Sequence, residues 1–200
     1  MDKVFREIYE NGFWGDNNLY SYYRGSSGAG SSIDYNKKEY IPFLKKFIFE
    51  NNIKTVVDLG CGDFVCGDLI YNNLDVSYIG YDTYSCVIDY NKKLYPKYNF
   101  IHLDFHKQIN HIFGGDLCIL KDVLQHWTLE QINFFMDYIT EKKLFKYILI
   151  VNCGYQKEDN TDITCGSWRP LSCDYLPLKK YNPIHMLNYN TKECSLIICE

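Results

Sequence analysis

The segment VVDLGCGDFVCGD, Val56 to Asp68, decides how the rest of the chain is to be read. An apolar run ends at Asp58, and Gly60 and Gly62 follow, so a buried strand turns sharply into a loop that a ligand can approach closely. A dinucleotide site reads Gly-x-Gly-x-x-Gly, with the third glycine letting a helix pack tightly beneath the pyrophosphate. Here that third position is Val65, and Asp63 stands directly after Gly62. Taken alone, the segment admits a dinucleotide, a mononucleotide or a purely structural turn.

Working outward, short apolar runs recur at TVVDLG (55–60), SYIGYD (77–82), NFIHLD (99–104), DLCILKD (116–122) and YILIVN (147–152). The intervals are long enough for crossover helices, which predicts a parallel sheet in an α/β fold. KEYIPFLKKFIFENN (38–52) places Tyr40, Phe43, Leu44, Phe47 and Ile48 on one stripe. TLEQINFFMDYITEKKL (128–144) opens with Thr128 and Gln131 in capping-box spacing. Both are read as crossover helices. HMLNYN (185–190), a turn at TKE (191–193) and CSLIICE (194–200) read as a terminal antiparallel hairpin. The expected architecture is a mostly parallel seven-stranded sheet with a C-terminal antiparallel hairpin and helices on both faces. It forms a single domain over 1–200: an N-terminal cap or lid (1–38) and a core (39–200) whose turn-rich segment 153–183 lies on the substrate side. RGSSGAGSS (24–32) is a flexible linker or a lid with glycine hinges.

Composition narrows the function classes. With 200 residues, 46% of them hydrophobic, the chain can bury one compact core. A net charge of −4 and scattered lysine doublets give no concentrated basic face for nucleic acid. No apolar run approaches the ~18 residues a membrane span needs. Nine cysteines, an odd number, and a charged start without an apolar leader point to a reducing, cytosolic compartment, the host cytoplasm if the chain is viral. Cys153, Cys165, Cys173 and His185 lack a Cys-x-x-Cys knuckle, so free thiols are expected rather than zinc.

In open α/β sheets ligands bind at the carboxyl ends of the strands. The first four expected strands deliver Asp58, Asp82, Asp104 and the pair Lys121-Asp122 to those ends. Asp82 stands about twenty residues beyond the glycines, where a carboxylate accepts ribose hydroxyls. A lone aspartate is usually a helix cap; four polar strand ends in register indicate one site.

These residues resemble the class I S-adenosylmethionine-dependent methyltransferases, whose Rossmann-like fold the resemblance implies. DLGCGD (58–63) is similar to their first motif, YIGYD to their acidic ribose position and NFIHLDF to their adenine loop. IYENGFWGDNN, SSGAGSS, LKDVLQHW and DITCGSWRPL further resemble a group of small bacterial and giant-virus methyltransferases of unassigned substrate. The resemblance implies that Asp58 lies near the methionine ammonium and that Gly60 and Gly62 pass under the adenosyl group. Asp82 takes the ribose, Asp104 with Phe105 flanks the adenine, and Asp63 and Lys121 complete the cofactor set. Trp14, Arg24 and Ser31 face the cleft from the lid. The physics agrees, because S-adenosylmethionine has no phosphate and carries cationic ammonium and sulfonium groups that suit an acidic turn.

Methyl transfer to a hydroxyl needs placement and a base. His126, with an unperturbed pKa near 6.5, and Asp122 are the catalytic candidates. Asp122 is also compatible with a divalent metal, which the sequence does not require. Asp162, Trp168 and Arg169 combine an aromatic platform with a planar cation and are read as the acceptor site for a sugar or nucleotide-sugar in glycan modification. The alternatives are an RNA cap or tRNA methyltransferase and a non-catalytic nucleotide-binding partner subunit.

Overall fold

The computed structural model describes residues 1–16 and 25–199. Arg24, expected on the lid, lies outside them. Seven strands form one sheet: β1 (Thr55–Leu59), β2 (Ser77–Asp82), β3 (Asn99–His102), β4 (Gly115–Lys121), β5 (Phe145–Cys153), β6 (Ile184–Tyr189) and β7 (Lys192–Ile198), in the order β3-β2-β1-β4-β5-β7-β6. The first five are parallel, and β7 runs antiparallel between β5 and β6. The chain order reverses at β1, which pairs with both β2 and β4. Loops leaving β1 and β4 there diverge to opposite faces and open a crevice.

The apolar runs form strands because both sheet faces are covered. Val56 joins a core with Leu44, Phe47, Ile48 and Ile88, while its neighbour Val57 joins a second core with Leu120, Phe135, Met136 and Ile139. Alternate side chains therefore have separate apolar destinations, as a strand's period of two requires. The helices are α1 (Asp2–Glu10), α2 (Ile33–Asn36), α3 (Tyr40–Glu50), α4 (Gly67–Tyr71), α5 (Ser85–Leu94) and α6 (Leu129–Glu141). Among the described residues, no helix is long and apolar enough to cross a membrane.

Two sequence expectations change in detail. Helix α3 precedes β1, so it covers a sheet face without connecting two strands. The hairpin turn lies at Asn190-Thr191 rather than over 191–193, with Asn190 in the left-handed region at φ 49°. Asparagine tolerates that conformation, and the shift returns Lys192 and Glu193 to the strand. There Glu193 accepts hydrogen bonds from Ser172 Oγ at 2.7 Å and Cys173 N at 2.6 Å, pinning the 153–183 segment to β7.

The capping box at α6 forms as read: Thr128 Oγ1 accepts from Gln131 N at 3.1 Å, and Gln131 Oε1 accepts from Thr128 N at 3.0 Å. Thr128→Ala is expected to cost about 1 kcal/mol, as lost N-caps do. Denaturant unfolding checks this, and an unchanged midpoint would remove the cap from the account of stability.

Candidate active site

The glycine turn sits at the crevice. Gly60 and Gly62 have φ of 88° and 54°, a region side chains disfavour. A Cβ at Gly60 would lie 2.5 Å from Val123 Cγ2, and one at Gly62 would lie 2.5 Å from Ser27 Oγ. The turn is held from three directions. Gly60 N and Cys61 N donate to Tyr81 O at 2.8 and 2.9 Å, Gly62 N donates to Asp82 Oδ2 at 3.0 Å, and Asn91 Nδ2 donates to Gly62 O at 2.7 Å. Asp82 also accepts from Tyr84 N at 3.0 Å. Burial pushes its carboxyl up, against the pull of these N–H groups. Asp58 accepts from Tyr78 Oη at 2.8 Å, and burial raises its carboxyl to about 6.

The cap is seated on this turn. Asp63 N donates to Ser27 Oγ at 2.9 Å, Ser27 N donates to Asp63 Oδ2 at 3.3 Å, and Ser27 Oγ shares a hydrogen bond with Tyr9 Oη at 2.9 Å. Ser31 Oγ donates to Ser27 O at 3.0 Å, bracing the same loop. Burial raises the Asp63 carboxyl as well. Trp14 lies against His126 with ring centroids 4.9 Å apart.

The end of β4 carries a charge cluster. Asp122, at φ 59°, accepts from Lys121 Nζ at 2.8 Å, from Lys192 Nζ in a short contact and from Gln125 Nε2 at 3.1 Å. Burial opposes its ionisation, but the two ammonium groups outweigh it and hold the carboxyl at about 2. Such a carboxylate is a poor proton acceptor. His126 differs. Its Nδ1 is 2.9 Å from Ser167 O, an acceptor only, so Nδ1 carries the hydrogen and Nε2 keeps a lone pair. Burial lowers its pKa below the usual 6.5, more than Ser167 O and Asp122 raise it.

Asp104 is engaged by the chain itself: the Met1 amino group lies 3.0 Å from Oδ2, and Lys107 N donates to Oδ1 at 3.2 Å. Burial resists, yet these contacts keep the carboxyl below its ordinary value. Phe105 packs on Trp127 at 5.7 Å. Asp58, Gly60, Gly62, Asp63, Asp82, Asp104, Phe105, Lys121, Asp122, His126, Trp14 and Ser31 all line one cleft that opens to solvent.

The expected acceptor residues do not line it. Arg169 is buried, donating to Trp127 O at 2.7 Å and Thr161 O at 3.3 Å and pairing with Asp162 at 3.6 Å. Asp162 Oδ1 accepts from Leu129 N at 2.8 Å, at the start of α6. Trp168 is half exposed outside the cleft lining. An arginine whose two terminal nitrogens are taken by backbone carbonyls straps a loop, and its Nε is buried without a partner among the described residues. Tyr9, Ser27, Thr83, Asn91, His106 and Lys192 also belong to the site, with no motif in the sequence to mark them. Thr83 and His106 line the cleft, with Thr83 Oγ1 and His106 Nε2 buried and without a hydrogen-bond partner among the described residues. Among those residues no three His, Cys, Asp or Glu side chains converge on a metal position.

No protein-family model matches the chain, and no curated protein does. Solved structures do. Magnesium protoporphyrin IX methyltransferase from Synechocystis PCC 6803 with bound SAM is 10% identical, with 100% of this chain and 97% of that one covered at a TM-score of 0.65. The fold is the class I methyltransferase fold. A protein from Pyrococcus horikoshii OT3 is 15% identical over 86% of this chain and 96% of its own, at a TM-score of 0.58. Mitomycin 7-O-methyltransferase is 11% identical at the same TM-score, with 86% of this chain and 62% of that one covered.

Proposed function

We propose that the chain is an S-adenosylmethionine-dependent methyltransferase that methylates a hydroxyl of a small acceptor. The observation that carries the cofactor is the glycine turn held by the buried Asp82, with no third glycine for a pyrophosphate and with Asp58 and Asp63 in place of anion-binding groups. The unpartnered Thr83 Oγ1 and His106 Nε2, beside Asp82 and Phe105, supply further polar atoms for a nucleoside. Asp82 would hold the ribose, Asp58 the ammonium, and Phe105 the adenine face. Asp104 accepts from the backbone N–H groups of Lys107 and Asp2, so its part is to fix the loop that carries Phe105 and His106.

When bound, S-adenosylmethionine supplies an electrophilic methyl group. The chain's task is to present a nucleophile in line and remove its proton. His126 is the base in this reading: Ser167 O fixes its tautomer, and the Nε2 lone pair, which accepts a long hydrogen bond from Gln125 Nε2 at 3.4 Å, takes the proton when the acceptor displaces that amide. Asp122, locked between two lysines, positions Lys121 and Gln125. The narrower reading, a sugar or nucleotide-sugar acceptor, rests on Asp162, Trp168 and Arg169, which stand outside the cleft lining.

Titrating S-adenosylmethionine and NAD separately into the purified chain by calorimetry tests the cofactor. Saturable heat is expected from the former alone; binding of NAD, or of neither, overturns the reading.

A further inference from the structure

Resting on that reading, we propose that the acceptor carries its reactive hydroxyl on an aromatic ring. The glycine turn, Asp58 and Asp82 take one part of the cleft, and Phe105, His106 and Trp127 line the nucleoside end. Around His126, whose Nε2 meets Gln125 Nε2 at 3.4 Å, the other neighbours from the cap are two rings. Trp14 lies 4.9 Å from the imidazole at 40°, Phe5 stands edge-on at 6.5 Å and 80°, and Phe5 and Trp14 are 6.0 Å apart. The cleft's Lys121 ammonium is held by Gly30 O at 2.9 Å and Asp122 at 2.8 Å. A flat apolar ring gains offset or edge-on contacts from these two rings across its whole face.

Proton chemistry points the same way. A buried imidazole with depressed basicity is poorly matched to an alkyl alcohol, but a phenol, with a pKa of about 10, is far closer to it. In the step, the phenolic oxygen forms the new O–CH₃ bond while its proton passes to His126 Nε2. The electron pair of the broken S–C bond stays on sulfur, leaving S-adenosylhomocysteine and an aryl methyl ether.

The test is radiolabelled methyl transfer from S-adenosylmethionine to catechol, cyclohexanol and methyl glucoside by the full chain and by Trp14→Ala and Trp14→Phe. Catechol is expected to be methylated at least tenfold faster than the other two. Trp14→Ala should raise KM for catechol about tenfold or more, and Trp14→Phe should restore most of the loss. Faster transfer to cyclohexanol or the glucoside, no transfer to catechol, or an unchanged KM in Trp14→Ala overturns the aromatic acceptor. S-adenosylhomocysteine binding, measured by calorimetry on the same samples, separates that outcome from failure of the cofactor reading. Binding retained with no transfer to catechol sinks only the acceptor class, and absence of binding to the unmodified chain sinks both.

Discussion

Asp82→Ala is expected to weaken S-adenosylhomocysteine binding about 100-fold. The carboxylate is 7% exposed and has two tasks at once. Its oxygens accept from Gly62 N and Tyr84 N, which fixes the turn, and their remaining lone pairs are the acceptors available to ribose hydroxyls. Hydrogen bonds to a charged group contribute about 1.5–3 kcal/mol each, so losing the two to ribose removes about 3 kcal/mol or more, a factor of about 100. Alanine also strands the two buried N–H groups, so the melting temperature should fall as well. Asp82→Asn keeps one carbonyl acceptor and should lose less on both counts. Calorimetry and thermal unfolding on the three proteins separate the effects. A dissociation constant within threefold of the unmodified protein in Asp82→Ala would detach the carboxylate from the cofactor.

The sheet was legible because its strands are buried on both faces and read as unbroken apolar runs; Val56 and Val57 feed opposite cores. Asp58, Asp82 and Asp122 were legible for a related reason, since strand ends in this topology open into the crevice and four polar ends in register point to one place. Partners far along the chain were not. Asp104 meets the amino group of Met1, and Lys192 reaches Asp122 across 70 positions, contacts that no local pattern encodes. Lys192 lies in β7, buried at every residue from Lys192 to Ile197, so no alternation singles it out. Trp168-Arg169 shows the opposite failure. An aromatic beside an arginine looks the same in a sequence whether it faces a ligand or straps a loop, and only the carbonyls of Trp127 and Thr161 around the guanidinium distinguish the two.

His126→Ala should lower turnover by about 10²–10⁴, the range a positioned general base contributes, with cofactor affinity changed less than twofold. The distinction follows from placement: the imidazole is held by Ser167 O and covered by Trp14, while the glycine turn and Asp82 are bound by other groups. The pH profile gives an independent check. Burial lowers the His126 pKa, and only the neutral ring has a lone pair on Nε2. With S-adenosylmethionine saturating, so that protonation of Asp58 at about 6 does not enter through cofactor binding, kcat/KM for the acceptor is therefore expected to fall with acidification through a pKa below 6.5 and to be level above pH 7. Asp122 makes no such inflection, because its carboxyl titrates at about 2 and stays ionised across the assay range. His126→Gln separates support from catalysis, since the amide fills the space and donates to Ser167 O but cannot take a proton at neutral pH. If His126→Gln turns over like the unmodified protein, the histidine is a packing residue and transfer proceeds by placement alone. If it is as slow as His126→Ala and the acid limb of the profile disappears, the proton leaves through Nε2.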